Sequence, residues 1–145
     1  MKEYCLNNEY DTVKLAEEIA NFTEKQSIIL LYGNLGVGKT FFSKSFINYF
    51  TKKENRKEEN VVSPTFNIVK TYEMNDFSIF HFDLYRIKNQ DELYELDLDD
   101  AFSNVALIEW PEIIEDILPY KTFSLYFKFE DGKRSCLVED YRKKV

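Results

Sequence analysis

Residues 33 to 40 read Gly-Asn-Leu-Gly-Val-Gly-Lys-Thr, the spacing G-x-x-x-x-G-K-T, and take three of the four glycines in a chain of 145 residues. Glycine lets a loop adopt positive φ and turn successive N–H groups inward, which makes a cradle for phosphate oxygens. The flanks suit that purpose. Ile28-Ile29-Leu30-Leu31-Tyr32 is a short apolar run of the kind found in buried parallel strands. Residues 39–50 place Phe42, Phe46, Tyr49 and Phe50 along one face of a helix. The order strand, glycine loop, helix adds the partial positive charge of a helix N-terminus to the loop. The pattern predicts a nucleoside triphosphate site, with Lys39 on the β- and γ-phosphates and the Thr40 hydroxyl on a magnesium ion.

The rest of the chain predicts one globular unit over residues 1–145, since 44% hydrophobic content supplies a core and aromatic residues make up 17% of the chain. A net charge of −7 argues against a protein that grips nucleic acid with its whole surface. Two cysteines, Cys5 and Cys136, are too few for a disulfide scaffold and are both expected as buried thiols. No apolar signal region opens the chain and no run reaches membrane-spanning length, so a cytoplasmic protein without a membrane partner is expected.

Helix signals run over 8–22, with Asn8 as N-cap, Glu9 and Asp11 in the first turn, and Val13, Leu15, Ala16, Ile19, Ala20 and Phe22 in an apolar stripe. The charged stretch 51–60 is expected as a solvated loop. Strands are expected at Val61-Val62, 67–72, 77–83 and 105–109, and a short helix at 91–98 before an Asp-rich connection. Segments 123–129 and 135–138 flank Glu130-Asp131-Gly132-Lys133, a hairpin signal. Strands that alternate with helices early and pair as hairpins later predict an α/β, three-layer P-loop NTPase fold with a mixed parallel and antiparallel central sheet.

A phosphate loop needs an acidic partner for the metal, usually at the end of an adjacent apolar strand. Two residues fit: Asp83 closes Ile79-Phe80-His81-Phe82-Asp83, and Glu109 closes Val105-Ala106-Leu107-Ile108-Glu109. Open α/β sheets place ligands at these strand ends. One carboxylate would support magnesium and the other would orient or deprotonate the attacking group. The residues by themselves leave open which does which. His81 is the only histidine, and alone it cannot build a metal cluster. Arg86 follows Asp83 closely and can stabilise transferring phosphate in cis. Trp110, the only tryptophan, abuts Glu109 and suits packing or partner recognition.

Several classes drop out. No glycine has Asp three residues before it and no Asn-Lys-x-Asp occurs, so a Ras-type GTPase is excluded. The Ser-Gly-Gly signature of transporter ATPases is also absent. A small-molecule kinase of the P-loop class remains as the alternative, although the four arginines, Arg56, Arg86, Arg134 and Arg142, are too scattered to suggest a phosphate lid. A nucleotide-dependent binding switch without useful turnover is a third reading.

Taken together, Gly33 to Thr40, Ser63-Pro64-Thr65-Phe66, His81-Phe82-Asp83-Leu84-Tyr85-Arg86 and Glu109-Trp110-Pro111-Glu112, in this order, resemble the bacterial TsaE family over nearly the whole chain. Those proteins are small ATPases needed for the threonylcarbamoyl modification of adenosine 37 in tRNA. The resemblance implies ATP and Mg2+ as cofactors and the TsaB and TsaD proteins as partners, with tRNA met only through the complex. It implies Thr40 and Glu109 as magnesium ligands and Asp83 as support for the hydrolytic water, with Lys39 completing the catalytic set. The phosphates would be held by Gly33 and by Gly36, Val37, Gly38, Lys39, Thr40 and Phe41. Glu9 and Lys133 fall where the family contacts the nucleotide. Ser63, Thr65, His81, Tyr85, Arg86 and Trp110 would form the surrounding active or partner-sensing surface. Asn34 and Phe41 depart from the family's usual loop without touching the lysine or the metal hydroxyl. Asp97 stands where glycine is frequent, which implies a left-handed backbone there at modest cost.

Overall fold

The computed structural model describes residues 1–34 and 36–142. Leu35 of the glycine loop and residues 143–145 lie outside the described residues.

A seven-stranded sheet carries the described residues. Its strands are β1 (Lys2–Cys5), β2 (Ile28–Tyr32), β3 (Val69–Glu73), β4 (Ser78–Asp83), β5 (Val105–Glu109), β6 (Phe123–Glu130) and β7 (Lys133–Asp140). Their spatial order is β1-β7-β6-β2-β5-β4-β3. The four central strands β6, β2, β5 and β4 run parallel, while β3 at one edge and β7 and β1 at the other are antiparallel to their neighbours. The sheet is therefore mixed, as the strand pattern predicts.

Helices cover both faces. Helices α1 (Glu9–Asn21) and α2 (Lys39–Lys53) share a core with Ile29 and Leu31 of β2, Leu107 of β5 and Leu125 of β6. The opposite face packs Ile28, Leu30, Ala106 and Ile108 against α3 (Leu98–Ser103) and a group of 3-10 turns, through Leu93, Ala101 and Ile114. The period-2 alternation of side chains along a strand explains why neighbours in β2 and β5 serve opposite layers. Rings dominate the α2 side. Phe42, Phe46 and Phe50 follow one another at helical spacing, and Phe42 meets Phe127 edge-on at 5.7 Å between centroids. Fully burying one such ring stabilises the fold by roughly 1.5–3 kcal/mol.

Helix α1 begins as its sequence predicts, with the Asn8 side chain accepting the Asp11 amide at 2.9 Å, and ends one residue early, so that Phe22 is an exposed C-cap and not part of the apolar stripe. Other boundaries differ for local reasons. Helix α2 continues through Lys53 into the stretch expected as loop, because buried Thr51 closes its last turn on the Asn48 carbonyl. Val61-Val62 is not a strand. Val61 is buried in the core, and no ladder partner is available to that segment among the described residues. Ile68, at φ 70°, turns the chain, so the strand expected from residue 67 begins at Val69. The helix expected at 91–98 splits. Asn89 caps a 3-10 turn, Gln90–Glu95, in a reciprocal capping box with Glu92, and α3 then forms in the Asp-rich stretch read as a connection. Asp97 sits at φ −83°, so its backbone is not left-handed. Strand β1 was not anticipated. Its short, largely exposed sequence carries no alternation, and it is held by its ladder to β7, which leaves Cys5 exposed at the sheet edge, against the expectation of a buried thiol, while Cys136 is buried. The last two strands meet in a two-residue turn, Asp131-Gly132, with φ 52° and 73°, the positive pair that a tight hairpin needs.

Candidate nucleotide site

The C-terminal ends of β2, β4 and β5 converge at the start of α2. Register places Glu109 opposite Leu31 of β2 on one side and Asp83 of β4 on the other. Both carboxylates thus stand side by side at the ends of adjacent parallel strands. Alternation points Ile79, His81 and Asp83 of β4, and Leu107 and Glu109 of β5, toward the layer of α1 and α2.

The glycines do different work around the loop. Gly33, at φ 138°, follows β2 directly, and a Cβ there would lie 2.8 Å from the Phe127 carbonyl oxygen and 2.8 Å from Val37 Cγ2. The close passage of β6 and of buried Val37 therefore requires glycine. A Cβ at Gly36 (φ 79°) or Gly38 (φ 108°) would meet nothing among the described residues, but both use backbone angles that other residues adopt only at a cost. Gly38 is the N-cap of α2, and the first helical bond runs from Phe42 N–H to the Gly38 carbonyl at 3.0 Å. The amides of Lys39, Thr40 and Phe41 then have no intrahelical acceptor and suit phosphate oxygens. The Phe41 side chain turns elsewhere, into a groove shared with Val13, Glu17 and Tyr49.

Lys39 is only 4% exposed. Its Nζ donates a 2.5 Å hydrogen bond to the Gly33 carbonyl and lies 3.6 Å from the centroid of the Trp110 ring. Burial pushes the ammonium below its ordinary range, and Glu109, Glu112 and Asp83 act to raise it again. Trp110 reaches this position because its backbone is left-handed (φ 58°, ψ 58°), which folds the chain sharply at the end of β5. A bulky residue in that region costs on the order of 1–3 kcal/mol. The contact with Lys39 and a tilted stack on Tyr85, at 4.7 Å, oppose the cost.

Glu109 is 2% exposed and ringed by donors. Thr40 Oγ1 stands 3.3 Å from Oε1, Ser43 Oγ 3.4 Å from Oε2, and His81 Nε2 2.6 Å from Oε2. Charge-assisted bonds of this kind make a buried carboxylate tolerable. Ser43 also donates to the Lys39 carbonyl at 2.9 Å. Asp83 is held separately. Ser63 donates to Oδ2 in a short hydrogen bond, Thr65 Oγ1 donates to the same oxygen at 3.2 Å, and the Tyr85 amide donates to Oδ1 at 3.0 Å. Ser63 and Thr65 thus serve as anchors for Asp83.

Of the residues expected to surround the site, His81 is fully buried and lines it from beneath, against Glu109. The alternation of β4 and its partner Glu109 draw it inside. Tyr85 and Arg86 are exposed, and Arg86 lies 5.0 Å over the ring of Phe66, which is 82% exposed. Glu9 at the start of α1 and Lys133 beside the β6–β7 turn are exposed at the loop's end of the sheet, and neither has a side-chain hydrogen bond among the described residues. Ser43 was missed in the sequence, although it lies one helical turn beyond Lys39 on the buried face of α2.

A divalent cation of the magnesium type needs few protein ligands, since it keeps waters and takes oxygens from phosphate. The Thr40 hydroxyl and the Glu109 carboxylate suit that role. Among the described residues no cluster of three or more His, Cys, Asp or Glu side chains could form an all-protein cage. None of the described helices is long and apolar enough to cross a membrane.

Comparison with known proteins gives the family. The family model for "Threonylcarbamoyl adenosine biosynthesis protein TsaE" matches residues 6–136. A tRNA threonylcarbamoyladenosine biosynthesis protein TsaE from Rickettsia bellii is 44% identical over 135 residues, covering 92% of this chain and 91% of its own. The TsaE protein of Bacillus subtilis is 34% identical over 124 residues, covering 83% of this chain and 73% of its own. The crystal structure of Bacillus subtilis YdiB superposes with a TM-score of 0.74 at 28% identity, over 93% of this chain and 82% of that one. With the family model spanning most of its length and relatives above a third identical, the chain belongs to the TsaE family.

Proposed function

We propose that this protein is an ATPase that binds and hydrolyses Mg–ATP to support the TsaB and TsaD proteins in threonylcarbamoylation of adenosine 37 in tRNA. The observation that carries the reading is the 3.3 Å approach of Thr40 Oγ1 to Glu109 Oε1 directly behind the glycine loop. A loop, a hydroxyl and a strand-end carboxylate in that order are what a triphosphate with its cation requires. Family membership supplies the pathway.

In this reading the free amides at the start of α2 and the Lys39 ammonium bind the phosphates. Lys39 gives up its bond to Gly33 and its place against Trp110 to do so. Thr40 and Glu109 hold the cation, which when bound neutralises charge on the phosphate oxygens. Asp83, its orientation fixed by Ser63, Thr65 and the Tyr85 amide, aligns a water and accepts its proton. Tyr85, Arg86 and Phe66 face solvent beside the site, where a partner can reach them. The protein works in the cytoplasm, where tRNA is modified.

The test is to follow the γ-phosphate of labelled ATP. Release as inorganic phosphate, abolished in Lys39→Ala, supports hydrolysis. Transfer to a small metabolite would replace this reading with that of a small-molecule kinase.

A further inference from the structure

We propose that His81 is a positioning residue that aims Glu109 at the cation. The inference rests on the reading of Thr40 and Glu109 as cation ligands and adds the residue that holds one of them in place. The two oxygens of Glu109 have separate assignments. Oε2 faces inward, 2.6 Å from His81 Nε2 and 3.4 Å from Ser43 Oγ, while Oε1 faces Thr40 at 3.3 Å. The His81 contact is much the shortest of the three. Fixing Oε2 fixes the carboxylate plane and leaves Oε1 toward the hydroxyl beside the glycine loop.

The ring has no competing attachment. His81 is fully buried, and its Nδ1 has no hydrogen-bond partner among the described residues. The imidazole therefore spends its single polar contact on Glu109, donating from Nε2. A histidine that merely filled space would be replaceable by an apolar side chain of similar volume without an orphaned nitrogen. Placement follows from the sheet. Asp83 pairs with Glu109 in register, and His81, two residues earlier on the same face of β4, reaches Glu109 on the diagonal. Partners behind a metal ligand typically change metal affinity about 10–100-fold when removed.

The experiment measures Mn2+ affinity by electron paramagnetic resonance on the ATP-loaded protein, together with affinity for a fluorescent ATP analogue in EDTA. His81→Gln keeps an amide donor near the Nε2 position and is expected to bind Mn2+ like the parent protein. His81→Leu keeps bulk, loses the donor, and is expected to bind Mn2+ about 10–100-fold more weakly, with cation-free nucleotide affinity unchanged. If His81→Leu does not fold, His81→Asn, whose amide falls short of Glu109, is expected to show the same loss. Parent-like Mn2+ affinity in a folded Leu or Asn variant, with Glu109→Gln weakened, would overturn the positioning role alone. Parent-like affinity in Glu109→Gln would overturn the ligand assignment and the positioning role with it.

Discussion

The Lys39 ammonium lies 3.6 Å from the centroid of the Trp110 ring while donating to the Gly33 carbonyl, so both contacts engage the one nitrogen that the proposed function assigns to phosphate. A desolvated cation–π contact of this kind contributes up to about 2 kcal/mol. On the proposed function, binding of a triphosphate has to exceed that, and it changes the surroundings of the only tryptophan in the chain.

The first prediction follows directly. ATP is expected to change the emission of Trp110 in a saturable way, and Lys39→Met is expected to abolish most of the response. A fluorimetric titration checks this, and an emission spectrum indifferent to saturating ATP would sever the link between the two residues.

Gly33 is expected to be the least replaceable glycine. Alanine there combines a left-handed backbone with 2.8 Å clashes against Phe127 and Val37, at a cost of about 2–4 kcal/mol. Gly132→Ala, with open space around it and φ 73°, is expected to cost about 1 kcal/mol. Urea denaturation of the two variants compares them.

The two strand-end carboxylates should separate kinetically. Asp83→Asn is expected to lower turnover about 10²–10⁴-fold while nucleotide affinity is retained. Glu109→Gln is expected to raise the Mg2+ concentration needed for half-maximal rate. Steady-state measurements over a Mg2+ series distinguish the two, and identical phenotypes would refute the division of labour.

Burial pushes the Cys136 thiol well above its ordinary 9.0. The unfolded chain ionises there while the folded chain keeps the proton. The folded state therefore binds more protons above that pH, and stability present below it falls as pH rises. One group contributes a slope of about 1.4 kcal/mol per pH unit. Tyr32, raised first by burial and then by its bond to Glu115, acts in the same direction above its ordinary 10.0. Urea midpoints from about pH 8.5 to about 10.5 are expected to fall, and to fall less steeply in Cys136→Ala.

Local grammar carried much of this into the sequence. The Asn8 cap, the Asp131-Gly132 turn and the two apolar runs ending in Asp83 and Glu109 are short-range patterns, and each stands where it was expected. Contacts between distant segments were not legible. Ser63 and Thr65 hold Asp83 across 20 and 18 positions, and His81 meets Glu109 across 28. A lone polar residue within a strand reads equally as solvated or buried until the neighbouring strand is known. Strand β1 is a product of its ladder to β7, and Trp110 folds over Lys39 through a backbone angle that its side chain does not advertise.

The most direct measurement is phosphate release from Mg–ATP by the purified protein, alone and with TsaB and TsaD. The account predicts slow release alone, a marked increase with both partners, and none above background in Lys39→Ala. A rate unchanged by the partners, or one that survives Lys39→Ala, would contradict it.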